Sequence, residues 1–211
     1  MNKMNYQKCL EETIEKEKGQ DRVPTLFLHS CCAPCSSYVL EYLSNYFKIT
    51  VFYYNPNITQ KDEYIKRVEE QRRLISEMTD IVNSIEFLEG KYDPESFYKI
   101  AKGMEMLDEG KERCFECYRL RLKEAVHIAA QSGFDYVTTT LSISPMKNAE
   151  KLNEIGGECA AAEGIKWLYS DFKKKNGYKR SVELSREHNL YRQSYCGCDF
   201  SRAQAKREGR I

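Results

Sequence analysis

The sequence predicts an α/β fold, a parallel sheet with flanking crossover helices in a single domain, on three observations. Runs of β-branched and aromatic residues alternate with apolar patterns at helical spacing. The length, 211 residues, suits one full α/β unit with a sizeable core. No repeat or low-complexity tract divides the chain. Residues 1–211 therefore read as one domain, with a helical leader over 1–23 and a basic C-terminal segment over 173–211.

Taken in order, the leader "MNKMNYQKCLEETIEKEKGQDR" is charged and has no apolar h-region. Nowhere do about 18 uninterrupted apolar residues occur. A soluble, cytoplasmic protein without a membrane partner is the expectation. Strands are predicted at 25–29 "TLFLH", 49–54 "ITVFYY", 84–89 "SIEFLE", 136–142 "YVTTTLS" and 165–171 "IKWLYSD". Val39, Leu40 and Leu43 form one apolar helical stripe, and Ile65, Val68, Ile75 and Met78 another. Glu63 with Arg67, and Glu69 with Arg73, stand four apart and predict an exposed charged face. Residues 92–114 bring extra helical or irregular material, whose acidic group Glu105, Asp108, Glu109 and Glu112 reads as surface. Cys114 precedes the helical run "FECYRLRLKEAVHIAAQ", so it belongs at a helix N-terminus, where backbone N–H groups favour a thiolate or an anionic cluster. A short helix, "FSRAQAKREGR", ends the chain.

Net charge is only +1, but its distribution is uneven. From Lys173 onward 11 Lys and Arg face four Asp and Glu, net +7, which leaves −6 for residues 1–172. A second basic stretch, "RCFECYRLRLK", surrounds Cys114 and Cys117. Basic surface beside cysteine chemistry suits a phosphate-rich partner.

Nine cysteines in a chain without a secretory signal point to metal or redox chemistry rather than to a disulfide framework. Cys9 and Cys159 read as idle or buried thiols. The others group as Cys31, Cys32 and Cys35, as Cys114 and Cys117, and as Cys196 and Cys198. Open parallel sheets bind ligands at the carboxyl ends of their strands. Cys31 and Cys32 follow the first strand, and "TTTLSISPMKN" leaves the fourth, so both should open onto one crevice. His29 reads as a packing residue at the strand end.

Thiolates bind iron–sulfur clusters and zinc, and two Cys-x-x-Cys pairs offer four of them. Zinc ribbons close over about 15–20 residues, whereas 78 separate Cys35 from Cys114. That spacing leaves zinc open without favouring it. With Cys31 counted, five thiols can converge, one more than a single tetrahedral ion or a cubane needs, which suggests a second metal or a resolving thiol. Cys196 and Cys198, with one glycine between, can close only a small, readily reduced ring, which suits an electron relay better than a staple.

Five blocks, "LHSCCAPCS", "YYNPNI" followed by "EYIKR", "RCFECYRLRL", "TTTLSISPMKN" and "YRQSYCGCDFS", span residues 28 to about 201 in order. Through them the chain resembles the epoxyqueuosine reductases of the QueH type. The resemblance implies a Rossmann-like, HUP-type sheet and a cytoplasmic enzyme. The implied reaction reduces epoxyqueuosine to queuosine in the wobble base of tRNAs with GUN anticodons (Asp, Asn, His and Tyr), the last step of queuosine synthesis. It implies no cobalamin and an electron donor that the sequence does not identify. It also implies a [4Fe–4S] cluster on Cys31, Cys32, Cys114 and Cys117, a mononuclear iron beside it, and a redox-active pair, Cys196 and Cys198. Some relatives have Asp where this chain has Cys35, so Cys35 is a candidate for the adjacent iron or for tuning. Tyr54, Asn57, Tyr64, Arg192 and Tyr195 are candidate substrate-lining residues, and Lys147 and Asn148 candidates for phosphate or the substrate ring. The rival reading is a zinc-stabilised RNA-binding module without redox catalysis. ATP chemistry on a similar sheet would need a Gly-rich phosphate cradle where this chain has "SCCAPCSS".

Overall fold

The structure is a computed structural model that describes residues 4–211; residues 1–3 of the leader lie outside the described residues. The Asn5 side chain accepts the Lys8 N–H at 3.2 Å and opens helix α1 (Tyr6–Lys18). Strand β1 (Thr25–His29) leads to α2 (Ala33–Leu43), where Pro34 occupies the first turn, a position that needs no intrahelical N–H bond. There follow β2 (Lys48–Tyr53), α3 (Lys61–Glu77), β3 (Ile85–Glu89), α4 (Pro94–Ala101), α5 (Glu112–Gln131), β4 (Tyr136–Thr139), α6 (Ala149–Glu163), β5 (Lys166–Trp167), α7 (Gly177–Glu187) and α8 (Asp199–Arg207). The α/β prediction thus holds in one domain. The five strands form one all-parallel sheet in the order β3-β2-β1-β4-β5.

Strand alternation distributes the core over both faces. Phe27, Phe52 and Val137 face Leu122, Ala125 and Val126 of α5 and Leu152 and Ile155 of α6. Leu26, Leu28, Ile49 and Val51 face Leu10 and Ile14 of α1 and Val39, Leu40 and Leu43 of α2. Each such side chain contributes about 1.5–3 kcal/mol by leaving water. Burial on both faces explains why β1 and β2 read as near-continuous apolar runs.

The chain starts at the sheet centre, runs to one edge through β2 and β3, and returns on the other side of β1 as β4. The topological switch point therefore lies between β1 and β4, where crevices of parallel sheets open. The backbone N–H of Cys31 crosses it to Thr140 Oγ1 at 3.3 Å.

Four expectations need correction. The fourth strand stops at Thr139 because its Oγ1 accepts the Leu141 N–H at 3.2 Å and turns the chain into a 3-10 helix, Thr140–Ile143. The fifth spans only two residues; Ser170 N–H is diverted to Asn153 Oδ1 at 3.0 Å. On α3 the buried face is Tyr64, Arg67, Val68, Gln71 and Leu74, while Ile65 is 42% exposed. Arg67 is thus interior rather than part of an exposed face, and Arg73 pairs with Glu70 and Glu77, not Glu69. The basic segment holds a second helix, α7, tied to α2 by Arg180 and Glu41 at 2.7 Å. Among the described residues, no helix is long and apolar enough to cross a membrane.

Candidate active site

Two adjoining cavities open at the switch point. The larger, of about 210 Å³, is lined by Cys31, Cys32 and Cys35 on one side and by Arg192, Tyr195, Cys196 and Arg210 on the other. The smaller lies behind it and is lined by Cys114, Cys117, Tyr118, Cys196 and Cys198. Asn57, Glu109, Arg121, Lys147 and Cys196 form the partition, belonging to both.

Each cysteine group is placed by a helix start. Cys32 is the N-cap of α2, and the sulfurs of Cys31, Cys32 and Cys35 lie within 4.8 Å of one another. Hydrogen bonds with Cys31 and then Cys35 hold the Cys32 thiol well below the ordinary range, while those with Cys31 and then Cys32 push Cys35 up. Cys114 stands in the first turn of α5, as predicted, and its Sγ accepts the Gly110 N–H at 3.2 Å. Burial pushes the Cys117 thiol up to about 12. A thiol that burial keeps neutral becomes a ligand when a metal supplies the compensating charge.

Arg121 stands between the two groups. It is 1% exposed, and among the described residues its guanidinium meets no carboxylate; it donates to the neutral Asn55 Oδ1 at 2.5 Å and its Nε is unpaired. Burial opposes its charge, but Cys117, Cys31 and Cys196 outweigh that and raise its pKa. A buried cation needs an anion. Here the sulfurs that act on it are Cys117 of α5, Cys31 just before α2, and Cys196 of the C-terminal segment. Three thiols within 4.8 Å fit a single ion. A four-iron cube takes one thiolate at each corner iron, so its ligands stand further apart than that; Cys31 and Cys32, with sulfurs 3.7 Å apart, would have to separate to share one with Cys114 and Cys117 of the adjoining cavity. The donor set and the lone guanidinium fit an anionic, thiolate-held centre.

A model of the family described as Epoxyqueuosine reductase QueH matches residues 26–204. The chain belongs to the QueH family. Proteins named Epoxyqueuosine reductase QueH from Staphylococcus epidermidis (39% identical; 94% of this chain, 85% of the relative) and Streptococcus pyogenes (39%; 98% and 80%) align over most of both chains. That from Staphylococcus aureus is 38% identical over 96% of this chain and 85% of its own.

Of the residues singled out for this family, Cys31, Cys32, Cys35, Asn57, Lys147, Arg192, Tyr195 and Cys196 line the larger cavity, and Cys114, Cys117 and Cys198 the smaller. Tyr54, Tyr64 and Asn148 stand apart from both linings. Tyr54 stacks on Phe52 at 5.9 Å, and Tyr64 packs on Tyr92 at 4.7 Å and donates to Gly90 O at 3.2 Å. Asn148 caps α6, its Oδ1 accepting the Lys151 N–H at 3.1 Å. His29 is fully buried between Thr139 Oγ1 (2.8 Å) and Tyr54 O (3.1 Å), and burial lowers its pKa to about 3, so it is a neutral strut.

Sequence reasoning missed Arg121, Glu109 and Arg67. Arg121 had a signal: Cys114, Cys117 and Arg121 follow i, i+3, i+7 spacing and share one face of α5. Glu109 had none, since its acidic neighbours Glu105 and Asp108 are exposed while its own side chain is 9% exposed.

Proposed function

We propose that this chain reduces the epoxide of epoxyqueuosine in the wobble base of tRNA to give queuosine, without cobalamin, through a [4Fe–4S] cluster and a redox thiol pair. The observation that carries this reading is the buried Arg121, on which Cys117 and Cys31, sulfurs from two separate cysteine groups, act together with Cys196. Cys31, Cys32, Cys114 and Cys117 would hold the cluster. Cys35, beside Cys31 and Cys32, would hold or tune an adjacent iron. When bound, such a centre supplies electrons one at a time and a Lewis acid for a developing oxyanion.

The reaction breaks both C–O bonds of the epoxide, leaves a carbon–carbon double bond and releases water, at a cost of two electrons and two protons. Cys196 and Cys198 can give up that number on closing to a disulfide, and a separate electron donor would reset them. Leu141, Ile143, Pro145 and Met146 form an apolar wall that would shed water from a bound nucleoside. Sequence-specific RNA readers splay a loop base and stack it on aromatic or guanidinium planes. Asn57, Arg192 and Tyr195 are suited to that task, with Arg210 beside them for backbone phosphate. The basic 173–211 segment would serve tRNA with GUN anticodons. A cytoplasmic location suits such a substrate.

The test is purification without oxygen, with iron, sulfide and zinc measured together, followed by incubation with epoxyqueuosine-bearing tRNA and analysis of the released nucleosides. About four sulfides with four or five irons per chain, and conversion to queuosine that Cys114→Ser abolishes, are expected. Colourless, folded protein holding zinc alone would overturn the reading in favour of the zinc-stabilised RNA-binding module.

A further inference from the structure

Cys196 and Cys198 are held by a turn that only glycine makes. Gly197 has φ +128°, and a Cβ there would lie 2.9 Å from Ile58 Cγ1 and 3.3 Å from Arg67 Nη1. The two sulfurs consequently face unlike surroundings. Cys198 is 6% exposed and lines only the inner cavity; its Sγ accepts the Ser201 N–H at 3.3 Å at the start of α8. Burial, followed by the neighbouring Cys196, pushes the Cys198 thiol up to about 11. Cys196 instead lines both cavities.

A buried ion pair is aimed at Cys196. Lys147 Nζ donates to Glu109 Oε1 at 2.7 Å and to Cys196 Sγ at 3.2 Å, with the two charged side chains only 7% and 9% exposed. Asn57 Nδ2 lies 3.9 Å from the same sulfur. Glu109 is fixed in turn, its N–H donating to Gln204 Oε1 of α8 at 2.8 Å. Desolvating two charges rarely gains stability over apolar packing of the same volume, so a role at the sulfur accounts better for the pair. Two of the three N–H directions of the Lys147 ammonium are engaged by Glu109 and Cys196, which turns it from phosphate toward sulfur.

We propose that Cys196 is the attacking and exchanging sulfur of the pair, that Cys198 resolves it, and that Lys147, held by Glu109, is the positioning residue that stabilises Cys196 when it carries charge. This rests on the redox reading of the pair. The reset uses a dithiol reductant. Its thiolate attacks Cys196 Sγ of the Cys196–Cys198 disulfide; the S–S bond breaks, a mixed disulfide forms, and Cys198 leaves and takes up a proton. The second thiol of the reductant then attacks its own bound sulfur and releases Cys196 against the Lys147 ammonium. The reductant departs as a disulfide; two electrons stay on the pair, one of the reductant's two protons is on Cys198, and the other goes to solvent until Cys196 takes it up.

The test labels reduced, cluster-loaded protein with limiting iodoacetamide and maps the modified peptides by mass. Cys196 is expected to react about tenfold faster than Cys198. In the double variant Glu109→Gln/Lys147→Met, which leaves no lone buried charge, Cys196 labelling should slow by about tenfold at equal iron content, and Lys147→Arg should keep most of the rate. A purely structural role for Lys147 would not show that rescue. Faster labelling of Cys198, or an unchanged Cys196 rate in the double variant, would overturn the proposal. The order of labelling in the unaltered chain tests it even where a variant folds poorly. Separately, failure of glutathione disulfide to form the Cys196–Cys198 bridge would overturn the exchange and the redox reading together, and is read independently of the labelling order.

Discussion

Gly156, inside α6, faces the indole of Trp167 so closely that a Cβ built on it would lie 2.3–2.5 Å from three ring atoms. The indole is pinned, 7% exposed, with its Nε1–H donating to Asn153 Oδ1 at 3.1 Å. Gly156→Ala gains up to about 1 kcal/mol of helix propensity but forces an overpacking that costs about 1–3 kcal/mol. With the ring held on both sides, the clash should win. The variant is expected to melt several degrees lower, and an unchanged or higher Tm would show that the indole can swing aside. Nothing in "GGECAAAEG" identifies this contact, because the ring arrives from β5, beyond the end of the helix. Arg121 teaches the complementary lesson. In "RCFECYRLRLK" four cations look alike, and only the helical phase shared with Cys114 and Cys117 separates the buried Arg121 from Arg119, which pairs with Glu158 at 2.9 Å on the surface.

The segment that carries Cys196 has little regular structure of its own and is held from outside, chiefly by α3. Arg67 Nη1 donates to Cys196 O at 3.0 Å, and Arg67 also pairs with Glu63 at 2.6 Å. Glu70 accepts the Tyr191 N–H at 2.6 Å, and Thr59 N–H donates to Gly197 O at 3.3 Å. Removing one partner of a buried pair costs about 3–5 kcal/mol because the other is left uncompensated. Arg67→Met should therefore lower stability by about 3 kcal/mol, and the loosening should be local. Native-state hydrogen exchange is expected to rise most at Thr59 and residues 195–198 and least in β1. An even rise across the sheet would show that Arg67 supports the fold as a whole. The strands and the main helices were legible because period and apolar runs report burial directly. The role of α3 was not: Glu63 and Arg67, four apart, satisfy the rule for a solvated pair, and only the return of the C-terminal segment over them makes the site buried.

Across the whole molecule, the switch point that opens the cavities is closed at its other end by one carboxylate. Asp135, just before β4, accepts the Thr25 N–H at 2.8 Å and Thr25 Oγ1–H at 2.9 Å, and pairs with Arg22 of the leader at 2.5 and 2.7 Å. It thereby joins the leader to the first residues of the two central strands. The Arg22 side chain is 66% exposed, so that ion pair contributes little by itself. The Asp135 side chain is 19% exposed, and its bonds to Thr25 are the sheltered ones. Arg22 first, then the Thr25 donors, hold the carboxyl well below its usual range against the opposing effect of burial. A carboxyl depressed in the folded state stabilises it in full above the unfolded value of about 3.9 and loses that contribution as pH falls toward the folded value. Asp135→Asn keeps the shape and removes the charge. Denaturant unfolding should show it about 1.5–3 kcal/mol less stable at pH 7. The gap to the unaltered chain should narrow steadily below about pH 4. A gap that stayed constant down to pH 3 would place the loss in amide geometry rather than in charge, and the leader would then be held by the packing of Leu10 and Ile14 together with the Tyr6–Tyr169 stack and the Tyr136 bond to Glu17.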